Sequence, residues 1–378
     1  MVPFNDTGRI FSAFEQDISK AILKSAASGF WLMGSETKKF EKNFAQYCGV
    51  KYCISLANGT DALEIGLKVL LGEDNCLNNE IEVITVANAG GYSTTACRLL
   101  GVKPVYADID RNTHLIDPQS IIRCLSDKTK VVITTHLYGG IVDVQKIRAL
   151  LDENGYRHVK ILEDCAQAHG GRLNNKRVGA FGDLAAFSFY PTKNLGAMGD
   201  AGALVTSNEN LYNIASKLKQ YGWSKKYEIA LKFARNSRMD EIQAAVLNAI
   251  LPHLDDLNQK RIKIYRRYVE AIRSENIHFL DYSNCDYVAH LAIVIVNERE
   301  DFIRFMSDRN ISVDIHYPIL DIEQPAWVGE DFRMDNTTEL NNTKLATGSI
   351  VSLPLFPLMN EDEIEAVISA IKVWGRKI

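Results

Sequence analysis

Several features are scarce in this 378-residue chain, and each scarcity removes a class of function. No apolar run approaches the ~20 residues that a membrane helix needs, so no membrane role is expected. There is no basic excess: 43 Lys and Arg stand against 47 Asp and Glu, giving a net charge of −4 and a pI near 6.1. A general surface for nucleic acid or an anionic membrane is therefore not expected. The seven cysteines are scattered and odd in number, and Cys48 and Cys53 have no histidine cluster beside them. They read as reduced thiols rather than as a disulfide framework or a metal site. The opening stretch MVPFNDTGRIFSAFEQD lacks the basic and apolar regions of a signal peptide, so the expected location is the cytoplasm. No G-x-G-x-x-G follows the first expected strand, which argues against a nicotinamide oxidoreductase.

What the chain does have is core material, with 46% of its residues hydrophobic, enough for two domains. Residues 12–27 carry Phe14, Ile18, Ile22 and Leu23 at helical spacing. A second helix is expected with Ser35 or Thr37 as its cap, Phe40, Phe44 and Tyr47 on its apolar side and Gly49 as its stop. Short apolar strands are expected at Tyr52–Leu56, Glu82–Val86, Pro104–Asp108 and Lys130–Thr135, alternating with helices. That alternation argues for an open, mostly parallel α/β sheet with its site at the C-terminal ends of the strands. From Met239 to about Ser274 the pattern is helical, with Pro252 breaking it because its ring clashes with the preceding turn. The expected division is a large domain over residues 1–250 and a smaller α+β domain over 251–378, with the N-terminal helices free to pack on either. In the smaller part, strands are expected at Tyr287–Val296 and Ser312–Ile315, and helices at Arg299–Arg309 and Asp362–Trp374.

The organising stretch runs from Lys160 to Thr206. A strand at Val159–Leu162 delivers Glu163 and Asp164 at its end, and a second, Leu184–Tyr190, delivers Ser188 and then Lys193 into a glycine-rich turn. A third, Ala203–Thr206, follows. Small and apolar neighbours from Pro191 to Gly199 favour a desolvated lysine, whose lowered pKa makes its amine nucleophilic. An acid at one strand end and such a lysine after the next suit a Schiff base with pyridoxal phosphate, the aspartate pairing with the ring nitrogen. Earlier, strand Tyr52–Leu56 runs into Asn58-Gly59-Thr60 and a helix, a junction where backbone N–H groups and the helix dipole favour an anion. Gly90 and Gly91 turn the backbone so that Tyr92 emerges over the sheet edge.

These residues resemble the DegT/DnrJ/StrS family of nucleotide-sugar aminotransferases, which have the aspartate aminotransferase (type I) fold. Its E-D-x-A-Q-A-H-G motif is matched by Glu163, Asp164, Cys165, Ala166, Gln167, Ala168, His169 and Gly170, and its S-F-x-x-x-K-N-L-G by Ser188, Phe189, Lys193, Asn194, Leu195 and Gly196. The segment ending in N-S-R-M-D-E-I-Q-A-A supplies Asn236, with Ala234 where glycine is often found. The loop HYPILDIEQPAW resembles another family segment, but Leu320 replaces its usual proline and Ile322 its usual histidine.

The resemblance implies a seven-stranded, mostly parallel sheet in the large domain. It implies pyridoxal phosphate on Lys193, with Asp164 at the ring nitrogen, Gln167 at the ring hydroxyl side and Tyr92 stacked on the ring. Gly59, Thr60, Ser188 and Asn236 would hold the phosphate, Asn236 reaching across a homodimer with shared active sites. The substrates implied are L-glutamate and a keto-sugar carried on a nucleotide, dTDP before UDP or GDP, for O-antigen, capsule or antibiotic glycans. Substrate contacts are expected from His136, Lys225, Tyr227, His316 and Tyr317, although His136 reads equally as a structural histidine. The G-W-S-K-K-Y and N-S-R pattern leans towards amination at C-3 rather than C-4. Two other readings stay open on the same fold. One is a dehydratase relative, which carries histidine in place of the lysine, and the other is a regulatory binding module.

Overall fold

A computed structural model describes residues 1–272, 276–283 and 286–375. Its centre is a sheet of eight strands: β1 (Tyr52–Leu56), β2 (Glu82–Thr85), β3 (Lys103–Tyr106), β4 (Thr129–Thr135), β5 (Lys160–Asp164), β6 (Leu184–Ser188), β7 (Gly202–Thr206) and β8 (Arg333–Met334). Their spatial order is β1-β7-β6-β5-β4-β2-β3-β8, and β7 alone runs antiparallel to its neighbours. Seven strands follow the expected pattern. The eighth is a two-residue edge contributed from near the C-terminus, too short to leave an apolar signature.

Both faces of the sheet are covered, as a parallel sheet requires. Leu162, Leu184, Ala186 and Leu204 point to one side, into a cluster with Ala62, Leu63 and Leu67 of helix Gly59–Leu71 and Ala215 of helix Glu209–Leu218. Ile161, Ala185, Phe187, Ala203 and Val205 point to the other side. Phe187 meets Phe44 edge-on, their ring centroids 4.9 Å apart. The alternation at consecutive residues is the period of two that strands impose.

The first expected helix is two, Thr7–Ala13 and Glu15–Ala27, interrupted at Phe14. The next, Ser35–Cys48, stops at Gly49 in the left-handed region (φ 76°) as expected. Its cap is neither Ser35 nor Thr37: the Glu241 carboxylate accepts from the amides of Gly34, Glu36 and Thr37 at 2.8–2.9 Å. A distant carboxylate satisfies the same orphan amides that a local hydroxyl would. Pro252 does break the long helical stretch, within a 3₁₀ turn at Leu251–His253 that separates helices Glu241–Ile250 and Leu254–Ala271. The expected end at Ser274 lies outside the described residues.

In the C-terminal part, Ile277–Phe279, Ala292–Val296 and Ile350–Leu353 form an antiparallel sheet. Helices Arg299–Ser307 and Glu361–Trp374 lie in the same part. The strand expected at Tyr287 begins only at Ala292, and the one expected at Ser312–Ile315 is reduced to isolated bridges. Val294 and Val351 share one hydrophobic cluster with Ile84 and Val132 of the large sheet, so the two sheets pack through a common core. No helix among the described residues is long and apolar enough to cross a membrane.

Candidate active site

The strand ends of β4, β5 and β6 open into a cavity of about 760 Å³. Asp164 at the end of β5 is 5% exposed and lines it. Its carboxylate accepts from the Ala166 amide at 3.1 Å and lies 3.5 Å from the Thr135 hydroxyl. Burial pushes its carboxyl above the usual range, while the Ala166 amide and the Lys193 charge oppose that shift. Lys193 lines the same cavity from the loop after β6. That loop is held by hydrogen bonds from Lys193 N–H to Tyr190 O, Ala197 N–H to Phe189 O and Phe189 N–H to Ala201 O, each 2.8 Å. Burial lowers the lysine to about 8, with Asp164 pulling the other way. A substantial fraction of the amine is thus neutral, and nucleophilic, near pH 8.

The anion end of the cavity is the start of helix Gly59–Leu71, where the Asn58 side chain accepts from Asp61 N–H at 2.8 Å. Gly59 and Thr60 of that first turn, whose amides have no partner within the helix, line the cavity beside Ser188. A Cβ on Gly59 would stand 2.5 Å from the Ser188 Cβ, so only glycine allows helix and strand end to approach this closely. Gln167 is fixed at both ends: its Oε1 accepts from Tyr138 N–H at 2.6 Å, and its Nε2 donates to the Tyr317 hydroxyl at 2.9 Å. The Tyr317 ring lies over Gly90 and meets Tyr92 edge-on, 6.1 Å between centroids. Tyr92 itself is half exposed on the cavity wall.

The structure therefore gathers Gly59, Thr60, Tyr92, Asp164, Gln167, Ser188, Lys193, His316 and Tyr317 around one space. It does not bring the remaining candidates there. His136 is fully buried, its Nδ1 accepting from Val142 N–H at 3.0 Å and its Nε2 lying 3.1 Å from Glu163. With both ring nitrogens engaged inside the protein, it serves as a structural histidine rather than a substrate contact in this chain's cavity. Lys225 and Tyr227 sit on an exposed hairpin, and Asn236 is likewise exposed; none of the three is in the cavity's lining.

Glu163, Cys165 and His136 bring possible ligand atoms within 4.8 Å of one another. Their capacity is already used. The Glu163 carboxylate accepts from the amides of Gly179, Phe181 and Gly182 at 2.7–3.0 Å besides facing His136, and burial pushes the Cys165 thiol up.

Sequence reasoning missed Phe4 and His290, which also line the cavity. Phe4 stacks on His316 (5.6 Å, 19° between planes), and Val2 pairs with Asn310 and Ser312 to bring it there. Neither residue has a local signal: Phe4 precedes any periodic segment, and His290 sits in a run that reads as strand.

Residues 13–372 match the DegT/DnrJ/EryC1/StrS aminotransferase family. The chain belongs to that family. It is 39% identical to the dTDP-3-amino-3,6-dideoxy-alpha-D-galactopyranose transaminase of Aneurinibacillus thermoaerophilus over 379 residues, covering 99% of this chain and all of that protein. It superposes with a TM-score of 0.93 on S. venezuelae DesV in complex with a ketimine intermediate, at 32% identity over 100% of this chain and 99% of the other. NtdA from Bacillus subtilis, with the cofactor PMP bound, gives 0.88 at 30% identity, covering 98% and 85%. The family match spans both stretches singled out in the sequence, Glu163 to Gly170 and Ser188 to Gly196.

Proposed function

We propose that this chain is a pyridoxal-phosphate aminotransferase that converts a dTDP-linked keto-6-deoxyhexose to its amino sugar, with L-glutamate as amino donor. The observation that carries this reading is the pairing of Lys193, lowered to about 8, with a raised, sparsely satisfied Asp164 on the wall of one cavity. The site fits the cofactor on three counts: a lysine free to bond it, a carboxylate short of donors for its ring nitrogen, and a glycine-lined helix start for its phosphate. When bound, pyridoxal phosphate supplies an electron sink for the carbanion formed at the donor's Cα.

The protein's part is to hold and to move protons. Lys193 Nζ takes the proton from the donor's Cα and returns it at C4′, acting as base and then acid. Asp164 keeps the ring nitrogen protonated. Tyr92 would cover one ring face, and Gln167, with one N–H still to give, would hold the ring hydroxyl. Gly59, Thr60 and Ser188 would hold the phosphate together with Asn236 of the partner subunit in a homodimer. On this reading His316 and Tyr317 contact the sugar, while Lys225 and Tyr227, exposed here, act from the partner's side. The 3-amino product named for the Aneurinibacillus relative favours C-3 as the position aminated. The setting proposed is cytoplasmic synthesis of sugars for O-antigen, capsule or antibiotic glycans.

The test is an absorbance spectrum of wild type and Lys193→Ala, each with pyridoxal phosphate and then L-glutamate. Wild type should show a near-visible band that glutamate moves to shorter wavelength, and Lys193→Ala should fail to complete the change. A wild type that binds no cofactor, or ignores every amino donor, would overturn the reading. Screening 3-keto against 4-keto dTDP sugars then decides the position.

A further inference from the structure

Behind the loop that carries Lys193 runs a chain of buried amides whose orientations can be fixed. The Nδ2 of Asn258 donates to the backbone oxygen of His169 at 2.8 Å. The Nδ2 of Asn194 donates to Val288 O at 3.0 Å and to Asn258 Oδ1 at 2.8 Å. A backbone carbonyl can only accept, so neither amide can be flipped without setting oxygen against oxygen. Asn194 Oδ1 is therefore an acceptor, and His290 Nδ1, 2.9 Å away, must be the nitrogen that carries the proton. It follows that His290 Nε2 holds a lone pair.

His290 is 6% exposed and lines the cavity with Lys193. Burial, then the charges of Lys193 and Arg261, hold its pKa well below the ordinary value, so the ring is neutral. Among the described residues Nε2 has no hydrogen-bond partner, and its residue lines the cavity that Lys193 also lines. The Lys193 amine likewise has no hydrogen-bond partner among the described residues, and Asp164, the charge beside it, is committed to the ring nitrogen on the reading above.

We propose that His290 is a positioning residue for Lys193: its Nε2 lone pair receives an N–H of the lysine once the amino donor has displaced it, holding Nζ for proton transfer at the donor's Cα. This rests on the aminotransferase reading. A neutral acceptor suits the task better than a carboxylate, which would trap the lysine as ammonium and remove its basicity. The protons balance without His290 titrating, because Nζ takes one proton from Cα, gives it back at C4′ and ends neutral.

The test combines spectroscopy with half-reaction kinetics on the cofactor-loaded protein. In ¹⁵N-histidine-labelled wild type, the His290 signals, identified by their loss in His290→Gln, should show a protonated Nδ1 and an unprotonated Nε2 between about pH 6 and 8. His290→Asn keeps a donor towards Asn194 but withdraws the acceptor from the cavity. It should slow the glutamate-driven spectral change by about 10- to 100-fold, with half-saturating glutamate unchanged and a larger effect of α-deuterated glutamate. His290→Gln, which reaches the place of Nε2, should recover most of that rate. An Nε2–H or charged ring, or an Asn variant as fast as wild type, would overturn the proposal. If one variant fails to fold, the other and the wild-type nitrogen signals still decide. A wild type unresponsive to glutamate would instead remove the aminotransferase reading, and this inference with it.

Discussion

Glu163 and Asp164 are neighbours on β5, and the alternation of a strand sends them to opposite sides of the sheet. Both are buried carboxylates. Glu163 collects three backbone amides and His136, and although burial works against ionisation, these donors hold its carboxyl below the usual range. Asp164 has one amide and a distant hydroxyl, and its carboxyl is raised. The difference shows how one peptide step separates an anchor from a reagent. A fully satisfied charge fixes the turn before β6, whereas an under-satisfied one keeps capacity for a further donor.

The strongest way to break the comparison is Asp164→Asn. Its transamination rate should fall by about 10²–10⁴-fold, because the ring nitrogen loses its anionic partner. The fold should survive. A carboxyl raised by folding stabilises the native state as the pH falls through its folded pKa and costs stability above it. Urea unfolding of the apo-protein should therefore find Asp164→Asn as stable as wild type, or more so, near pH 8, with the gap narrowing as the pH is lowered. Glu163→Gln should behave oppositely, losing about 3 kcal/mol in the same unfolding assay because an amide N–H₂ now faces backbone donors. Its pyridoxal-phosphate spectrum should stay close to that of wild type wherever the protein is folded. The smallest effect sharpens the comparison through Lys193. Cofactor capture by apo-protein should speed up as pH rises through about 8, where the amine becomes neutral. In Asp164→Asn the lysine loses its stabilising anion, so the midpoint of that profile should move to lower pH; stopped-flow absorbance reads it directly.

What could be read from sequence follows the range of the interactions involved. Strands β4 to β7 carry their apolar runs, glycine turns and acid or lysine termini within a few residues, so both the parallel sheet and the Lys193–Asp164 pair were visible there. The Gly59 turn and the stop at Gly49 were visible for the same reason: a backbone requirement acts on one residue. The cap of helix Ser35–Cys48 was not, because Glu241 lies about two hundred residues away and nothing local distinguishes it from a solvated helix-start acid. Phe4 and His290 reach the site only through tertiary packing, by the Val2 pairing in one case and the Asn194 contact in the other. His136 shows the converse limit: its motif position suited a substrate contact and a structural histidine equally, and only the bonds to Val142 and Glu163, made after β4 has ended, separate the two.

The edge strand Arg333–Met334 has a consequence for how the protein is made. Glu82 on β2 is 2% exposed and is paired with Arg333, which also places β8 against β3. On a ribosome, β2 and β3 emerge some 230 residues before that partner exists. Until then the nascent sheet carries an open edge and a buried-to-be carboxylate without its cation, the kind of surface that pairs wrongly with other chains. The large sheet can be completed only after Met334 has been made. Translation pauses before residue 333, or truncations just upstream of it, should thus be a point at which this chain depends most on chaperones.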